Sequence, residues 1–383
     1  MQGRFAPRHR GVMHHDRERL ALLTLALVPG VGPVAVRALR AHFGSAQAAL
    51  AAAPSGWPSL SARAGLARLA AAVDALAGAR EAERAERVGV RLIGDHEACF
   101  PDHWGAFPDL PPLLYVRGAW PEHVTTWPPR AVALVGSRRA DAAACAFAFD
   151  LAAALARAGV VVVSGLAYGI DAAAHRGALS AGPGAAPTIA VLASGVDRPG
   201  PAGNVPLARA LVRSGGALVG ESALGSVPGK GDFPRRNRLV AALARSVVIV
   251  AAGASSGAHR TAGHAAAYGR DVFVVPARPW DDAYAGNVAL LRDGAFPLCG
   301  LDGAVAALGF PDAAARDDGA VSGPAAAPPE LRWLWDALTS VPTPLETLVE
   351  RGGRGVGATL AALEGLVQQG LCAVDGARRY RRR

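Results

Sequence analysis

Lysine is almost missing from this chain. Of 40 basic residues in 383, only Lys230 is a lysine. The rest are arginines, whose planar fork suits phosphate and carboxylate; a GC-rich coding sequence would give the same bias, together with the excess of alanine and glycine. The four cysteines, Cys99, Cys145, Cys299 and Cys372, stand far apart, with no C-x-x-C pair and no histidine cluster beside them. That spacing excludes a zinc site and a disulfide framework, so no metal is expected, and a reducing, cytoplasmic setting fits. The N-terminal segment MQGRFAPRHRGVMHHDRER has no apolar core of the kind a secretory signal needs. No run of eighteen apolar residues occurs, so no membrane span is expected. The dinucleotide fingerprint G-x-G-x-x-G and the P-loop are absent, and neither Ser164 nor Ser194 sits in G-x-S-x-G. No cofactor and no catalytic residue is therefore expected.

What is present is apolar and positive. Half the residues (51%) are hydrophobic, enough for a large core, and the net charge is +9. Such a balance favours a polyanionic partner, nucleic acid before an acidic membrane.

The organising stretch runs over 131–178. AVALV and VVVV are unbroken β-branched or small apolar runs, the pattern of parallel strands covered on both faces. Each ends at small residues, Gly136-Ser137 or Ser164-Gly165, and a helix-compatible segment follows. Strand, small turn and helix start can offer free N–H groups and a positive dipole end to an anion. Further strands are predicted over 90–93, 113–116, 188–192, 217–220, 247–251 and 272–275, separated by helix-length segments. This alternation over 88–310 predicts an α/β fold with a doubly wound, mostly parallel Rossmann-like sheet. Ligands of such sheets bind at the carboxyl ends of the strands, where strand order reverses.

Two smaller units flank the sheet. After a basic tail over 1–16, the region 17–87 predicts helices around a Pro29-Gly30-Val31-Gly32 turn, a helical unit of SAM or helix-hairpin-helix type. In such a hairpin Gly30 and Gly32 let backbone amides approach a DNA phosphate; a purely structural hairpin needs the same glycines, and both readings stand. A break falls at Pro54 to Pro58. Residues 311–329 read as a linker. Residues 330–383 predict three helices and a short hairpin with an Asp375-Gly376 turn, a winged-helix-like unit. Its third helix is nearly uncharged, which favours packing or protein contact over base reading. Arg379 and Arg381 in the basic tail are secondary candidates for phosphate.

The candidate site gathers Gly136, Ser137, Arg138, Ser164, Gly165, Tyr168 and Gly169 from the two turns. To these GKGDFPRRNRLVAAL adds Lys230, Phe233, Arg235, Arg236 and Asn237 in a basic loop. An aromatic among cations suits single-stranded nucleic acid, because charge follows the backbone and a ring stacks on an unpaired base. Asn237 reads a base edge or caps the helix that follows. SSGAHRTAG supplies Ser256, Gly257 and Thr261 at another helix start. Asp171 and His175 lie at i,i+4 and are read as a helix-stabilising pair or a structural hydrogen bond.

The motifs GSR, SGLAxGIDAAAHRGAL, TIAVLASGVD, FPRRNRLVAAL, SGAHRTAGHAAAYGRDVFVVPA and GNVALLRDGA, in this order, resemble the DNA-processing protein A (DprA, Smf) family. The resemblance covers about 88–300 and implies an extended Rossmann fold, single-stranded DNA binding, and loading of the recombinase RecA in natural transformation. It also implies a homodimer without enzymatic turnover, with strand contacts at Arg138, Lys230 and Phe233. Three positions depart from the family pattern: Ala251 stands where a glutamate is usual, Arg198-Pro199-Gly200-Pro201 replaces a Tyr-Pro loop, and Ala277 follows Val-Pro where glycine is usual. Tyr168 fills a variable position, either stacking on a base or shielding the pocket. The competing reading is a nucleoside-monophosphate enzyme of the phosphoribohydrolase type. The loop ASSGAHRTA lacks that group's P-G-G-x-G-T, and Glu221 is the strand-end carboxylate left near the pocket.

Overall fold

The computed structural model describes residues 16–53, 57, 69–121, 130–311, 328–338, 343–368, 371–374 and 379–382. The N-terminal tail over 1–15, most of the Pro54 to Pro58 break, the linker over 312–327 and the Asp375-Gly376 turn lie outside the described residues, as does the side chain of Arg381. Asp16, read as the end of the tail, is the N-cap of the first helix, its carboxylate accepting from Glu18 N–H at 3.0 Å.

The opening unit contains the helices α1 (Arg17–Leu27), α2 (Pro33–Phe43), α3 (Ala46–Ala52) and α4 (Ala77–Arg87) among the described residues. Between α1 and α2, Gly30 takes φ +88, a left-handed conformation in which a Cβ would be strained, and Pro33 begins α2 where no N–H is needed. The hairpin faces inward. Arg37 donates to the carbonyls of Trp104 and Leu110, and Arg40 pairs with Asp95 at 2.6 Å. The cations of α2 are thereby committed to packing on the next unit.

The central sheet has nine strands in the order β1-β2-β6-β5-β4-β3-β7-β8-β9. They are β1 (Arg91–Gly94), β2 (Leu113–Gly118), β3 (Ala131–Val135), β4 (Val161–Ser164), β5 (Thr188–Val191), β6 (Ala217–Gly220), β7 (Ser246–Ile249), β8 (Asp271–Val274) and β9 (Phe296–Pro297). From β6 to β9 all pairs are parallel; β1 and β2 join antiparallel at one edge, with Tyr115 opposite Gly220. The predicted strands over 90–93 and 113–116 thus extend the sheet at that edge. The two-residue β9 is too short to show a period in the sequence.

The crossover helices are α5 (Ala142–Arg157), α6 (Ile170–Ser180), α7 (Val205–Arg213), α8 (Asp232–Ala242) and α9 (Ala258–Ala267); the short α10 (Ala285–Arg292) and α11 (Ala304–Ala307) close the unit. Strand residues alternate between faces with period two. Val132, Leu134 and Val162 pack under α5 and α6, while Ala133, Val163, Ile189 and Val247 pack with Leu239 and Val240 of α8. Ala190, Leu192 and Leu218 share a third cluster with Leu22 and Leu25 of α1 and Leu211 of α7. The helical unit and the sheet are therefore joined by one apolar core. No helix among the described residues is long and apolar enough to cross a membrane.

The last unit holds α12 (Arg332–Ala337), β10 (Thr343–Pro344), α13 (Leu345–Gly352), α14 (Val356–Gln368), β11 (Cys372–Val374) and β12 (Arg379–Arg382). Three helices and an antiparallel sheet β10-β12-β11 enclose their own core of Leu334, Leu348, Leu363 and Leu366. β10 adds a strand to the expected hairpin.

Candidate nucleic-acid interface

β3 and β4 end in turns several of whose amides bond within the protein. A Cβ on Gly136 would lie 2.7 Å from Ile170 Cγ1 and 2.8 Å from the Ala251 carbonyl oxygen, so only glycine fits. Ser137 N–H donates to the Ala251 carbonyl at 2.7 Å, and the Ser137 hydroxyl accepts from Arg139 N–H at 3.1 Å. Ser164 is fully buried, its hydroxyl donating to the Leu134 carbonyl at 2.6 Å. Ala167 N–H donates to the Asp171 carboxylate at 3.3 Å, so the start of α6 faces an anion of its own chain. Gly169, at φ +70, brings the two turns together: a Cβ there would stand 2.3 Å from the Ser137 carbonyl oxygen. These contacts engage the Ser137, Arg139, Ala167 and Ile170 amides and narrow the expected cradles. Ser164, expected to touch phosphate, is out of reach of any ligand.

Arg236 is a second correction. It was grouped with the strand-contacting cations of a loop, yet residues 232–242 form α8 and turn its guanidinium into the protein. Arg236 Nη1 donates to the carbonyls of Gly165 and Val191, each at 2.5 Å, and the residue is 7% exposed. A Cβ on Gly165 would come within 2.4 Å of Arg236 Nη1, which explains the glycine. Burial pushes the Asp171 carboxyl above its ordinary value while the Arg236 charge opposes it; burial pulls Arg236 below its ordinary value while Asp171 opposes that. The two buried charges therefore stabilise each other beneath the cleft floor. His175 does not pair with Asp171. Its Nδ1 hydrogen-bonds Thr188 Oγ1 at 2.8 Å, and burial, with Arg236 adding to it, pushes its pKa down to about 3.

Above this floor lies a cleft of about 1030 Å³. Its walls come from the ends of β4, β5 and β6, from the Pro199-Gly200-Pro201 loop, and from α7 and α8. Five accessible arginines and one aspartate line it, Arg117, Arg138, Arg198, Arg209 and Arg213 against Asp197, with the buried Arg236 below them. Asp197 is occupied, accepting from Gly225 N–H at 2.8 Å with Arg84 3.5 Å away. The cleft sits to one side of the point where strand order reverses. That point lies between β3 and β7, whereas the opening spreads over the ends of β4 to β6, bounded by the 198–202 loop, α7 and the start of α8.

Arg138 and Phe233, 95 positions apart in the chain, meet at the mouth. The Arg138 guanidinium lies over the Phe233 ring, 4.9 Å from its centroid. Tyr168 is 48% exposed on the opposite wall, its hydroxyl accepting from Gly203 N–H at 3.4 Å. Lys230 is exposed, precedes Phe233 by one turn, and has no acidic partner among the described residues. Arg235 and Arg238 both pair with Glu221, at 3.2 and 2.5 Å. Asn237 neither caps its helix nor stands free: it accepts from Arg236 Nε at 3.2 Å and donates to the Gly257 carbonyl at 3.3 Å, tying α8 to the start of α9. Ser256 holds Ala258 N–H, Gly257 is exposed, and Thr261 is 2% exposed, so of the third turn only the loop itself is reachable. Gly30 and Gly32 do not line the cleft. Arg379 is exposed on β12.

The sequence reading missed Arg117, Arg209 and Arg213. The signal was there for two of them: Arg209 and Arg213 are four apart on a helix, on the same stripe as Val205 and Val212. Among the described residues no group of three or more histidine, cysteine, aspartate or glutamate side chains is placed to hold a metal. Cations and rings around an apolar floor suit a flexible polyanion with exposed bases. Glu221, the carboxylate on which the hydrolytic reading depends, is 8% exposed in its side chain, held by two arginines, and does not line the cleft.

The chain matches known proteins over most of its length. The family profile described as DNA recombination-mediator protein A matches residues 91–309, and the DprA-like N-terminal HHH domain matches residues 16–85. A Mycobacterium tuberculosis protein described as a DNA processing protein DprA is 47% identical over 185 residues, 48% of this chain and 46% of that protein. The match thus spans about half the length of that relative. Protein Smf of Synechocystis is 30% identical over 301 residues, covering 77% of this chain and 73% of that protein. Among solved structures, DNA processing protein A from Streptococcus pneumoniae superposes with a TM-score of 0.62 at 25% identity, covering 76% of this chain and 97% of that one. DNA processing protein A from Helicobacter pylori, described for its single-stranded DNA binding mode, gives 0.50 at 28% identity, over 57% of this chain and 95% of that one.

Proposed function

The chain belongs to the DNA recombination-mediator protein A family, and from that premise we propose that it binds single-stranded DNA in the arginine-lined cleft as a recombination mediator. Within this reading it protects incoming DNA and loads the recombinase RecA during natural transformation, works in the cytoplasm as a homodimer, and turns over no substrate. The observation that carries the proposal is Arg138 laid over the Phe233 ring at the mouth of a cleft lined by five accessible arginines to one aspartate. Arg138 and Lys230 hold phosphates; Phe233 and Tyr168 stack on bases. Gly136, Ser137, Gly165 and Gly169 act by shape, letting the turns and Arg236 close up beneath the ligand. Arg235, Asn237, Ser256 and Gly257 border the site.

The three units are taken as 17–87, 88–310 and 330–383. The inward-facing cations of α2 favour a packing role for the helical hairpin. In the winged-helix-like unit, α14 leaves Val356 and Leu360 exposed with no cation along its length, which favours a protein contact. Double-stranded DNA contact through the terminal units would then fall to Arg379 and its neighbours.

The test is fluorescence anisotropy with a labelled oligonucleotide across a salt series. Binding should be salt-sensitive and indifferent to sequence. Phe233→Ala should weaken it by about 5- to 150-fold, the equivalent of ~1–3 kcal/mol per stacked base. Arg138→Ala should also weaken it, because the same cation serves phosphate and ring. Parent-like affinity in both variants would sink the assignment, and release of free base from a nucleoside monophosphate would revive the enzymatic reading.

A further inference from the structure

The cleft is longer than the constellation at its mouth requires. It continues past Tyr168 and the 198–202 loop and runs down α7, whose Val205, Ala208, Arg209, Val212 and Arg213 form its wall. These positions recur at three- and four-residue steps, so one helix face lines the opening along its whole length. At about 1.5 Å per residue, Val205 and Arg213 are about 12 Å apart along that wall. The other face of α7 is spent on the core through Leu207 and Leu211, with the buried Ala208 at the boundary between the two faces. Opposite its far end stands Arg117, on β2 in register with Leu218, which also lines the cleft. Arg209 and Arg213 are exposed, and neither they nor Arg117 has an acidic partner among the described residues.

We propose that Arg117, Arg209 and Arg213 form a phosphate lane that carries the strand onward from the Arg138–Phe233 mouth, so that the site takes a run of several nucleotides. The inference rests on the reading of the cleft as a single-stranded DNA site. Its basis is charge complementarity: unpaired guanidiniums at helical spacing along one continuous groove match the repeating charge of a phosphodiester backbone. Val205 and Val212, between the arginines, leave an apolar strip against which sugars and bases can lie without losing hydrogen bonds. An acidic protein segment is the other class of chain with repeating negative charge, and it is the outcome that would displace this one.

The test compares two probes, a dinucleotide and a single-stranded oligonucleotide of about 20 residues, on the full chain and on Arg209→Ala/Arg213→Ala. Both residues project from an exposed helix face, so the variant should fold; circular dichroism checks it. Each phosphate contact on a single strand contributes about 0.7 to the slope of log affinity against log salt, so the variant's slope on the long probe should fall by about 1.4. Between 50 and 200 mM salt, the parent should then lose about sevenfold more affinity than the variant. Dinucleotide binding should be unchanged, because that probe fills only the mouth. An unchanged slope on the long probe overturns the lane, and so does an equal loss on both probes, which would place the two arginines at the mouth. Arg138→Ala separates this from the underlying reading: if it leaves both probes bound as in the parent, the cleft itself is misassigned.

Discussion

Replacing Arg236 with methionine keeps the volume of the side chain and removes its charge. The consequence follows from what the guanidinium touches. Two carbonyls, Gly165 and Val191, lose their donor in a site closed to water, and Asp171 loses the charge that opposes its desolvation. Breaking a buried pair from one side costs about 3–5 kcal/mol. The deficit should also depend on pH. The folded-state pKa of Asp171 is already raised by burial, so the folded protein holds the proton more tightly than the unfolded one. The stability carried by that group is complete below the unfolded value and is lost as pH rises through the folded value. Without Arg236 the folded value rises further, so the loss deepens toward neutral pH. Urea denaturation of Arg236→Met should therefore show a midpoint deficit that is smallest near pH 4 and largest near pH 8, about 3–5 kcal/mol at the upper end. Adding Asp171→Asn removes the uncompensated charge. The double variant should recover more than half of the loss at pH 8 and lose its pH dependence. If Arg236→Met were as stable as the parent at pH 8, or if Asp171→Asn added to the damage at that pH, the two groups would not be stabilising each other and the account of the cleft floor would be wrong.

Two more outcomes follow from the buried groups around the sheet. His175 has a folded pKa depressed to about 3, so its stability contribution is present above the unfolded value and is lost as pH falls through that window; His175→Gln should flatten the acid limb of a urea-stability profile, by on the order of 4 kcal/mol between pH 6.5 and about 3. Glu221→Ala, which strips the carboxylate from the buried Arg238, should lower stability by about 3–5 kcal/mol in the same assay, and a gain or loss of nucleotide hydrolysis in place of stability would contradict the structural role given to it.

Much of the α/β architecture was legible in the chain because its physics is local. Buried parallel strands need apolar residues on both faces, so AVALV, VVVV and VVIVA show as unbroken runs, and the small residues after them mark turns. β9 escaped because two residues carry no period. The site was legible as a set of residue types but not as a set of directions. Residues 230–238 read as a basic loop, yet Asp232 starts a helix, and helical rotation separates neighbours: Arg235 points outward to Glu221, Arg236 inward to Gly165, and Asn237 sideways to Gly257.

The sequence by itself determined the excess of arginine, the absence of cofactor fingerprints and the order of strands and turns, because each is written in single residues or in short periods. Only the tertiary structure decided which turn amides remain open, which arginines face solvent, and where the cleft lies. Those depend on contacts between segments far apart: Ala251 with Ser137, Arg236 with Gly165, and α7 with β2. The cleft over β4 to β6 is bounded by α7, the 198–202 loop and the start of α8, segments that only packing brings together, and no local pattern records that.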